Sequence, residues 1–334
     1  MLDERKAAIL RAVVEGYIET AQPVGSAHVA RATDMAVSSA TVRNEMAVLE
    51  REGYLVQPHT SAGRIPTDKG YRFFVDQLSG PGPLDPGKQQ LVRDFFRKAH
   101  GEIEQMLHDT SKLLSTLTDY AAVVVAPAHE GAAVRSVQLV GLGPRVTLLV
   151  AVLANGVVEK RTIELKEEVG DERLVAAGAV LARHLVGHTL RDLPARAKAG
   201  DPAVDQLVSV ALDALRGVDH HDEPDSVFVG GVSRMANAFD AVETVRQVLN
   251  TLEQQYVVVT LLEDVLGRGL SVAIGTEHGL EPLSECAVVV APYEVEGEHA
   301  GAIGVLGPTR MNYPEALAAV AVVSRRLGAR LSEG

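Results

Sequence analysis

The chain contains a single cysteine among its 334 residues, and this scarcity excludes two kinds of structural support. Cys286 cannot form a disulfide within the chain, and one thiol cannot build a cysteine metal site. The residue stands in the apolar sequence SECAVVVAPY. We therefore interpret it as a buried structural thiol, with a catalytic thiol as the weaker alternative.

Long hydrophobic runs are also missing from the sequence. No apolar stretch has the length needed to cross a membrane, and the opening MLDERKAAIL carries acidic charge and lacks a signal-peptide pattern. We therefore expect a cytoplasmic protein with no membrane partner. The length allows two or three domains, and 46% hydrophobic with 23% charged residues is ordinary for a globular chain.

Common catalytic and phosphate-binding motifs are absent as well. There is no G-x-S-x-G and no H-E-x-x-H, and the glycine-rich VGLGPR (140–145) and VLGPTRM (305–311) complete no phosphate-loop pattern, so we interpret their glycines as turn residues. The run HHDEPD (220–225) has metal-binding residue types, but four consecutive side chains rarely converge on one ion. We therefore expect no enzyme activity, no cofactor and no metal site.

The net charge of −12 lies almost entirely after residue 80. Residues 1–80 hold 9 Lys and Arg against 10 Asp and Glu, whereas the remainder holds 23 against 34. An acidic protein binds DNA poorly through its overall charge. The first 80 residues are nearly neutral, so their basic side chains can form a local patch that binds DNA.

The N-terminal pattern predicts a DNA-binding fold. Apolar spacing predicts helices at 2–20 and 26–32 and a third that is capped by Ser38, with Val42, Met46 and Leu49 on its apolar side. The extended pieces YLVQ and GRIPT then flank 59–63, and another helix follows Thr67. Two helices, a turn, a capped helix and a two-stranded hairpin, in this order, are typical of a winged helix-turn-helix.

Several polar side chains in this region are candidates for DNA contact. Arg favours guanine, Asn favours adenine and hydroxyl groups suit phosphates, although an ordinary solvated helix face would look alike. In the hairpin, we predict that Gly63 allows a tight turn beside a phosphate backbone. The candidate residues are Ser38, Ser39, Thr41, Arg43 and Asn44 in the third helix, Arg64 in the hairpin, and Lys69 and Arg72 beyond it.

The rest of the chain alternates between strand-like and helical patterns. The stretch 79–88 is the clearest linker, with three Pro and three Gly, and one long helix is predicted over 88–121. Strand-like sequence fills 121–165 and recurs at 226–231, at 256–262 and in three later pieces. Further helices are predicted at 171–190, 202–215, 238–255 and 313–331.

The segment SSATVRNEMAVLEREGYLVQPHTSAGRIPTDKGYRFFVDQL resembles the DNA-binding region of the HrcA heat-inducible transcription repressors. Further blocks resemble family segments in the expected order, so the resemblance covers nearly the whole chain. The SAGRIPTDKGYRFF and GVLGPTRM blocks are specific, whereas a helix-turn-helix alone would not be. The other similar blocks are GHTLRDL (187–193), FVGGVSRMANAFDAVETVRQVLNTLE (228–253), VAIGTEH (272–278) and GAIGVLGPTRMNYPEALAAV (301–320).

The resemblance implies an α+β fold in three parts. A winged helix-turn-helix at 1–78 and a linker at 79–88 would precede a GAF-like α+β domain at 89–195 and 263–334. A dimerising segment inserted at 196–262 would split that domain.

The resemblance also implies a function. HrcA repressors bind as dimers to an inverted repeat called CIRCE, upstream of chaperonin and sometimes other chaperone operons, and the GroEL chaperonin promotes their active form. We therefore expect double-stranded DNA, a second copy of the chain and GroEL as partners.

Two other functions compete with this reading. A metabolite-responsive winged-helix regulator would hold a small molecule in the GAF-like domain. An enzyme, such as a nucleotide hydrolase with an attached DNA module, is disfavoured by the missing phosphate and metal motifs.

Overall fold

A computed structural model describes residues 2–33, 37–59, 62–98, 103–127, 133–154, 157–194, 197–198, 200–216, 227–235, 242–253 and 269–333. The protein has a mixed helix and sheet architecture, as the sequence predicts. Among the described residues, no helix has the length and apolar character to cross a membrane, and no group of three or more His, Cys, Asp or Glu side chains could hold a metal ion.

The described residues of the N-terminal unit, within 2–78, form four helices and a short hairpin. Asp3 caps the first helix by accepting a hydrogen bond from the Lys6 backbone N–H at 2.9 Å. The hairpin is antiparallel, with Leu55 opposite Pro66 and Val56 opposite Ile65. The elements are α1 (Glu4–Thr20), α2 (Ser26–Ala32), α3 (Ser39–Arg51), β1 (Leu55–Val56), β2 (Ile65–Pro66) and α4 (Asp68–Asp76).

A five-stranded antiparallel sheet, here called the main sheet, organises the second part of the chain. Its strand order is β7-β3-β10-β9-β8. The strands are β3 (Ala121–Val125), β7 (Val227–Gly230), β8 (Ser271–Ile274), β9 (Cys286–Val295) and β10 (Glu298–Pro308). The described helices that accompany this sheet are α5 (Pro86–Lys98), α6 (Ile103–Thr118), a single turn α9 (Val232–Met235), α10 (Val242–Glu253) and a closing helix.

Both faces of the main sheet are buried. The closing helix α11 (Tyr313–Ser332) packs with α5 and α6 on one face, and their core is continuous with the core of the N-terminal unit. On the other face, Val248 and Leu252 of α10 pack against Val123 and Val288. Burial on two sides explains why AAVVV in β3 and CAVVVAPY in β9 are uninterrupted apolar runs.

A second, three-stranded sheet stands apart from the main sheet and has its own hydrophobic core. Its strand order is β4-β5-β6, and two helices cover one of its faces. We call residues 133–216 the inserted module, because β3 before it and β7 after it are paired neighbours in the main sheet. Its elements are β4 (Val134–Gly143), β5 (Val146–Leu153), β6 (Val158–Glu164), α7 (Asp171–Leu185), a 3₁₀ turn (Leu190–Asp192) and α8 (Pro202–Arg216).

This topology replaces the predicted positions of the split domain and its insertion. The boundaries expected from the sequence were 89–195 and 263–334 for the split domain, with 196–262 inserted. In the structure, the separate sheet and core lie at 133–216, and β7 at 227–230 belongs to the main sheet. The prediction failed because strand periodicity does not reveal which sheet a strand joins.

Smaller corrections concern element ends. The long helix predicted over 88–121 is described as two helices, α5 and α6, and the linker ends earlier than residue 88. Asp85 Oδ1 accepts the backbone N–H of Gly87 at 2.8 Å and that of Lys88 at 3.3 Å, which starts α5 inside the predicted linker. The predicted polar loop 220–225 and strand 256–262 lie outside the described residues.

Cys286 is fully buried at the start of β9, as its apolar context predicts. Burial raises the pKa of its thiol to about 12, so the reactive thiolate is scarce at neutral pH. The structure therefore gives this cysteine a packing role.

Candidate nucleic-acid interface

Helix α3 buries one face in the N-terminal unit and exposes the opposite face. Val42, Met46 and Leu49 are buried, which confirms the predicted apolar stripe. Arg43 and Asn44 are exposed on the other side, and among the described contacts neither forms an ion pair or a hydrogen bond. The helix therefore presents a guanidinium and a carboxamide to solvent without internal competition for their donors.

The beginning of α3 concentrates hydroxyl groups. Ser38 caps the helix, as predicted, because its Oγ accepts the backbone N–H of Thr41 at 3.2 Å. Its Oγ also lies 3.0 Å from Thr41 Oγ1, while Ser39 is exposed beside it. Free N–H groups and the helix dipole make such an end favourable for a phosphate.

The hairpin is attached to the loop between α1 and α2. Val24 and Arg64 exchange two backbone hydrogen bonds, each 2.9 Å long. A Cβ atom on Gly63 would lie 2.3 Å from the Val24 carbonyl oxygen. Gly63 is therefore required for a close approach within the protein, and its predicted role beside a phosphate backbone stays a prediction.

Arg64 has an internal partner as well. Its Nε and Nη2 atoms both lie 2.9 Å from Oε2 of Glu50 in α3, and its side chain is only 15% exposed. The ion pair therefore joins the hairpin to α3. The predicted contact of Arg64 with DNA stays a prediction beside this internal role.

Lys69 is engaged at the far end of α3. Its Nζ donates to the carbonyl oxygen of Glu52 at 2.8 Å and lies 4.2 Å from the centroid of the Tyr54 ring. A cation at a helix C-terminus satisfies an orphan carbonyl and the negative end of the dipole. Lys69 thus stabilises the end of α3, and its predicted contact with DNA stays a prediction.

Arg72 links the N-terminal unit to the main sheet. Its Nε donates to Oε1 of Glu277 at 2.8 Å, and its Nη2 contacts Oε2 of Glu277 and donates to the Val272 carbonyl oxygen at 2.7 Å. Glu277 also accepts the Ile274 N–H at 2.9 Å. These contacts give Arg72 a docking role between the two units. Its predicted contact with DNA stays a prediction.

Apolar packing reinforces this docking. The Tyr71 ring of α4 lies 6.0 Å from the Tyr313 ring of α11, and both are buried. Next to them, Gly275 has a φ of +57°, and a Cβ there would lie 2.0 Å from Asp68 Oδ2. Helix α4 therefore lies so close to the main sheet that a side chain at position 275 would collide with Asp68.

The sequence pattern missed the two carboxylates that organise this region. Glu50 and Glu277 look like ordinary surface acids in the sequence, since their arginine partners are 14 and 205 residues away. The available signal was the block VAIGTEH, which resembles a family segment and contains Glu277.

Comparison with known proteins identifies relatives along the whole chain. A family model described as the HrcA protein C terminal domain matches residues 104–317. The heat-inducible transcription repressor HrcA of Pelotomaculum thermopropionicum is 37% identical over 344 residues, covering 98% of this chain and 96% of the relative. The protein of the same name from Acidothermus cellulolyticus is 41% identical over 343 residues and covers 100% of both chains.

A solved structure also has this fold. The crystal structure of a hypothetical protein covers 100% of this chain and 99% of its own, with a TM-score of 0.64 and 22% sequence identity.

Replacing Glu277 should loosen the docking of α4. Glu277→Gln removes one charge of the pair, so we expect faster amide exchange in Asp68–Asp76 and Ser271–Ile274, measured by hydrogen exchange with mass spectrometry. Asp76→Asn is the matched control, because Asp76 contacts Arg72 at 3.4 Å from within the same helix. Equal effects of the two variants, or no effect of Glu277→Gln, would contradict the docking role.

The contact between Arg72 and Glu277 should weaken at acidic pH. Partial burial opposes ionisation of Glu277, but the hydrogen bonds from Arg72 and the Ile274 N–H outweigh it, and its pKa is lowered. A carboxyl with a lowered pKa contributes stability above its ordinary pKa of about 4.5 and loses it as the pH falls through the lowered value. As the pH falls through the lowered pKa of Glu277, amide hydrogen exchange in α4 should therefore accelerate more in the wild type than in Glu277→Gln.

Proposed function

We propose that this chain, which belongs to the HrcA family of heat-inducible transcription repressors, binds as a dimer to an inverted-repeat operator of the CIRCE type. The operator would lie upstream of chaperonin and other chaperone operons, and the protein would act in the cytoplasm, where that DNA lies. The observation that carries the DNA-binding proposal is the outward polar face of α3, anchored in the N-terminal unit by a buried apolar stripe.

In this proposal α3 is the recognition helix of a winged helix-turn-helix. Arg43 and Asn44 read base edges in the major groove, since Arg pairs with guanine and Asn with adenine. The hydroxyls of Ser38, Ser39 and Thr41 contact phosphate at the helix start.

The hairpin is the wing in this arrangement. The Arg64–Glu50 pair fixes it relative to α3, and the close approach of Gly63 to Val24 fixes it relative to the loop between α1 and α2. Arg64 then acts by setting the angle between the wing and the recognition helix. The wing can approach the DNA backbone only in the orientation that these contacts allow.

Substitution of the recognition residues should reduce sequence discrimination. We expect Arg43→Ala or Asn44→Ala to cost about 1–3 kcal/mol on the cognate operator and much less on random DNA, because base-edge contacts are lost. Fluorescence anisotropy at matched salt concentrations measures both affinities.

Arg11→Ala is the matched control for this pair, because it removes an exposed arginine from α1 and leaves α3 unchanged. It should leave the ratio of specific to random affinity unchanged. Full discrimination in both α3 variants would show that another element reads the sequence.

The main sheet with its helices is the GAF-like domain of this proposal, and the inserted module is the dimerising part. The support is topological. β3 and β7 are neighbours in one sheet although the whole inserted module separates them in sequence. An insertion that carries its own core can be presented to a partner without disturbing the sheet it interrupts.

One face of the three-stranded sheet fits a protein contact. Along β5 the residues alternate between buried and half-buried, and no described helix packs extensively on the half-buried side. The half-buried side chains are Val146, Leu148, Val150 and Val152. The exposed side chains of Val140 and Val158 lie beside them, because Val140 pairs with Leu148 and Val158 pairs with Val152.

A second copy of the chain is the occupant that we propose for this face. Operators with two-fold symmetry are read by proteins with two-fold symmetry, and a two-fold interface uses the same patch on both subunits. Polar side chains at Gln138, Lys160 and Thr162 border the aliphatic strip, which gives it the apolar centre and polar rim of a subunit contact.

A charge placed in the strip should separate the subunits. We expect Val150→Asp to shift the protein from dimer to monomer in sedimentation velocity, because an unpaired carboxylate would be buried in the interface. The variant should lose affinity for a two-half-site operator while random-DNA binding per N-terminal unit persists.

Ser233→Asp serves as the control in this experiment, since it adds the same charge at an exposed site of α9. It should remain dimeric. A Val150→Asp dimer with unchanged stability would assign dimerisation to another surface.

Chaperonin dependence is the remaining part of the proposal, and the topology supports it. β3 can pair with β7 and β10 only after the entire inserted module has been synthesised or folded. Long-range pairing is slow and leaves apolar strands such as β3 and β9 exposed meanwhile. A chain with this topology is a suitable chaperonin client, and a partner that raises the native fraction raises the effective repressor concentration.

Chaperonin should therefore change the amount of active protein and leave its affinity unchanged. We expect GroEL with ATP to raise the fraction of refolded protein that binds operator DNA, measured by active-site titration with excess operator. Salt-matched binding curves should give the same dissociation constant with and without chaperonin. An unchanged active fraction would favour direct thermal loss of the dimer as the heat response.

A further inference from the structure

A cavity of about 620 Å³ lies outside the candidate DNA interface, between α5, α11 and the segment that joins the N-terminal unit to α5. This volume is in the range of small-molecule sites. The cavity opens to solvent where the joining segment passes over it, with Pro81, Gly82 and Pro83 at the rim.

Two helix faces converge on this cavity. On α11, Arg325 and Arg326 line it with Val322 and Ala329, which share one side of the helix at spacings of three, four and seven. On α5, Arg93 lines it one turn beyond Gln89. Three guanidinium groups from two separate helices therefore border a single space.

The charge in this space is unbalanced. No Asp or Glu is among the residues that line the cavity, although the chain has a net charge of −12. In the described part of the chain, Arg93 and Arg326 form no ion pair. Arg325 uses its Nε on the Ala321 carbonyl oxygen at 3.0 Å, which leaves its terminal nitrogens for another acceptor.

The cavity also has an apolar floor and fixed walls. Leu84 and Val92 beneath it are 3% and 1% exposed. Gln89 Nε2 donates to the Leu84 carbonyl oxygen at 2.6 Å, which ties the joining segment to α5. Lys88 contacts Glu315 of α11 and donates to the Leu117 carbonyl oxygen at 2.6 Å, so α5 is held against α11.

We propose that this cavity binds a small phosphorylated anion of nucleotide size. The guanidinium groups of Arg93, Arg325 and Arg326 hold its phosphates, because arginine forks match phosphate oxygens in pairs. Pro81, Pro83 and Val322, which also line the cavity, contact the organic part. A ligand held here joins the rim segment to α11 and fixes the connection between the N-terminal unit and the main sheet.

Titration calorimetry on the full-length protein tests this proposal with ATP and inorganic pyrophosphate as separate probes, without DNA. We expect saturable binding of at least one probe to the wild type. Arg93→Ala with Arg326→Ala should weaken that binding at least tenfold, and the corresponding pair of lysine substitutions should retain part of it. Tighter binding of ATP than of pyrophosphate would indicate a nucleotide, and equal binding a simple phosphate ester.

The matched control is Arg173→Ala with Arg183→Ala, which removes two exposed arginines from α7 and changes the net charge equally. It should bind as the wild type does. No binding to the wild type, or equal weakening by both pairs, would overturn the proposal.

A further outcome would reassign the three arginines. Suppose that neither probe binds, and that Arg93→Ala with Arg326→Ala, unlike the α7 control, lowers both the affinity for random DNA and its salt dependence. The three arginines would then contact the DNA backbone, and the small-ligand proposal would fail. Because the calorimetry contains no DNA, its result is independent of whether α3 reads an operator.

Discussion

The contact of α4 with the main sheet is the constraint on which the rest of this structure depends. Tyr71 and Tyr313 make the cores of the two units continuous, and the Arg72–Glu277 pair fixes α4 beside them. A helix that packs on both units transmits any movement between them as a rigid body, since packed cores resist continuous deformation. The orientation of α3 is therefore set by the main sheet as well as by its own unit.

The positively charged side chains of the N-terminal unit fall into two groups, those with internal partners and those exposed to solvent. Arg64, Lys69 and Arg72 hold the hairpin, the end of α3 and α4 in place through internal acceptors. Arg43 lies on the outward face of α3 and remains available for a ligand. In an acidic protein this division matters, because few positive charges can serve both stability and binding.

The inserted module is structurally separate from the main sheet. Its core is independent, while its exposed aliphatic residues give it a surface of its own. The cavity between α5 and α11 lies under the segment that connects the N-terminal unit to this framework. The exposed face of α3, the inserted module and this cavity thus occupy different parts of the chain.

The sequence by itself determined the local features. The Ser38 cap, the stripe of Val42, Met46 and Leu49, and the apolar strands follow from the preferences of neighbouring residues. Resemblance to a family added the order of the parts. Each of these signals depends on residues within a few positions of one another or on shared blocks.

Only the tertiary structure decided the partners of distant residues. β4, β5 and β6 have strand-like sequences similar to those of the main sheet, but pairing excludes them from it and moves the insertion to 133–216. In the same way, Arg64 and Arg72 look like free basic residues until folding brings Glu50 and Glu277 beside them. Pairing across 205 residues leaves no periodic trace in a sequence, because it depends on where whole elements pack.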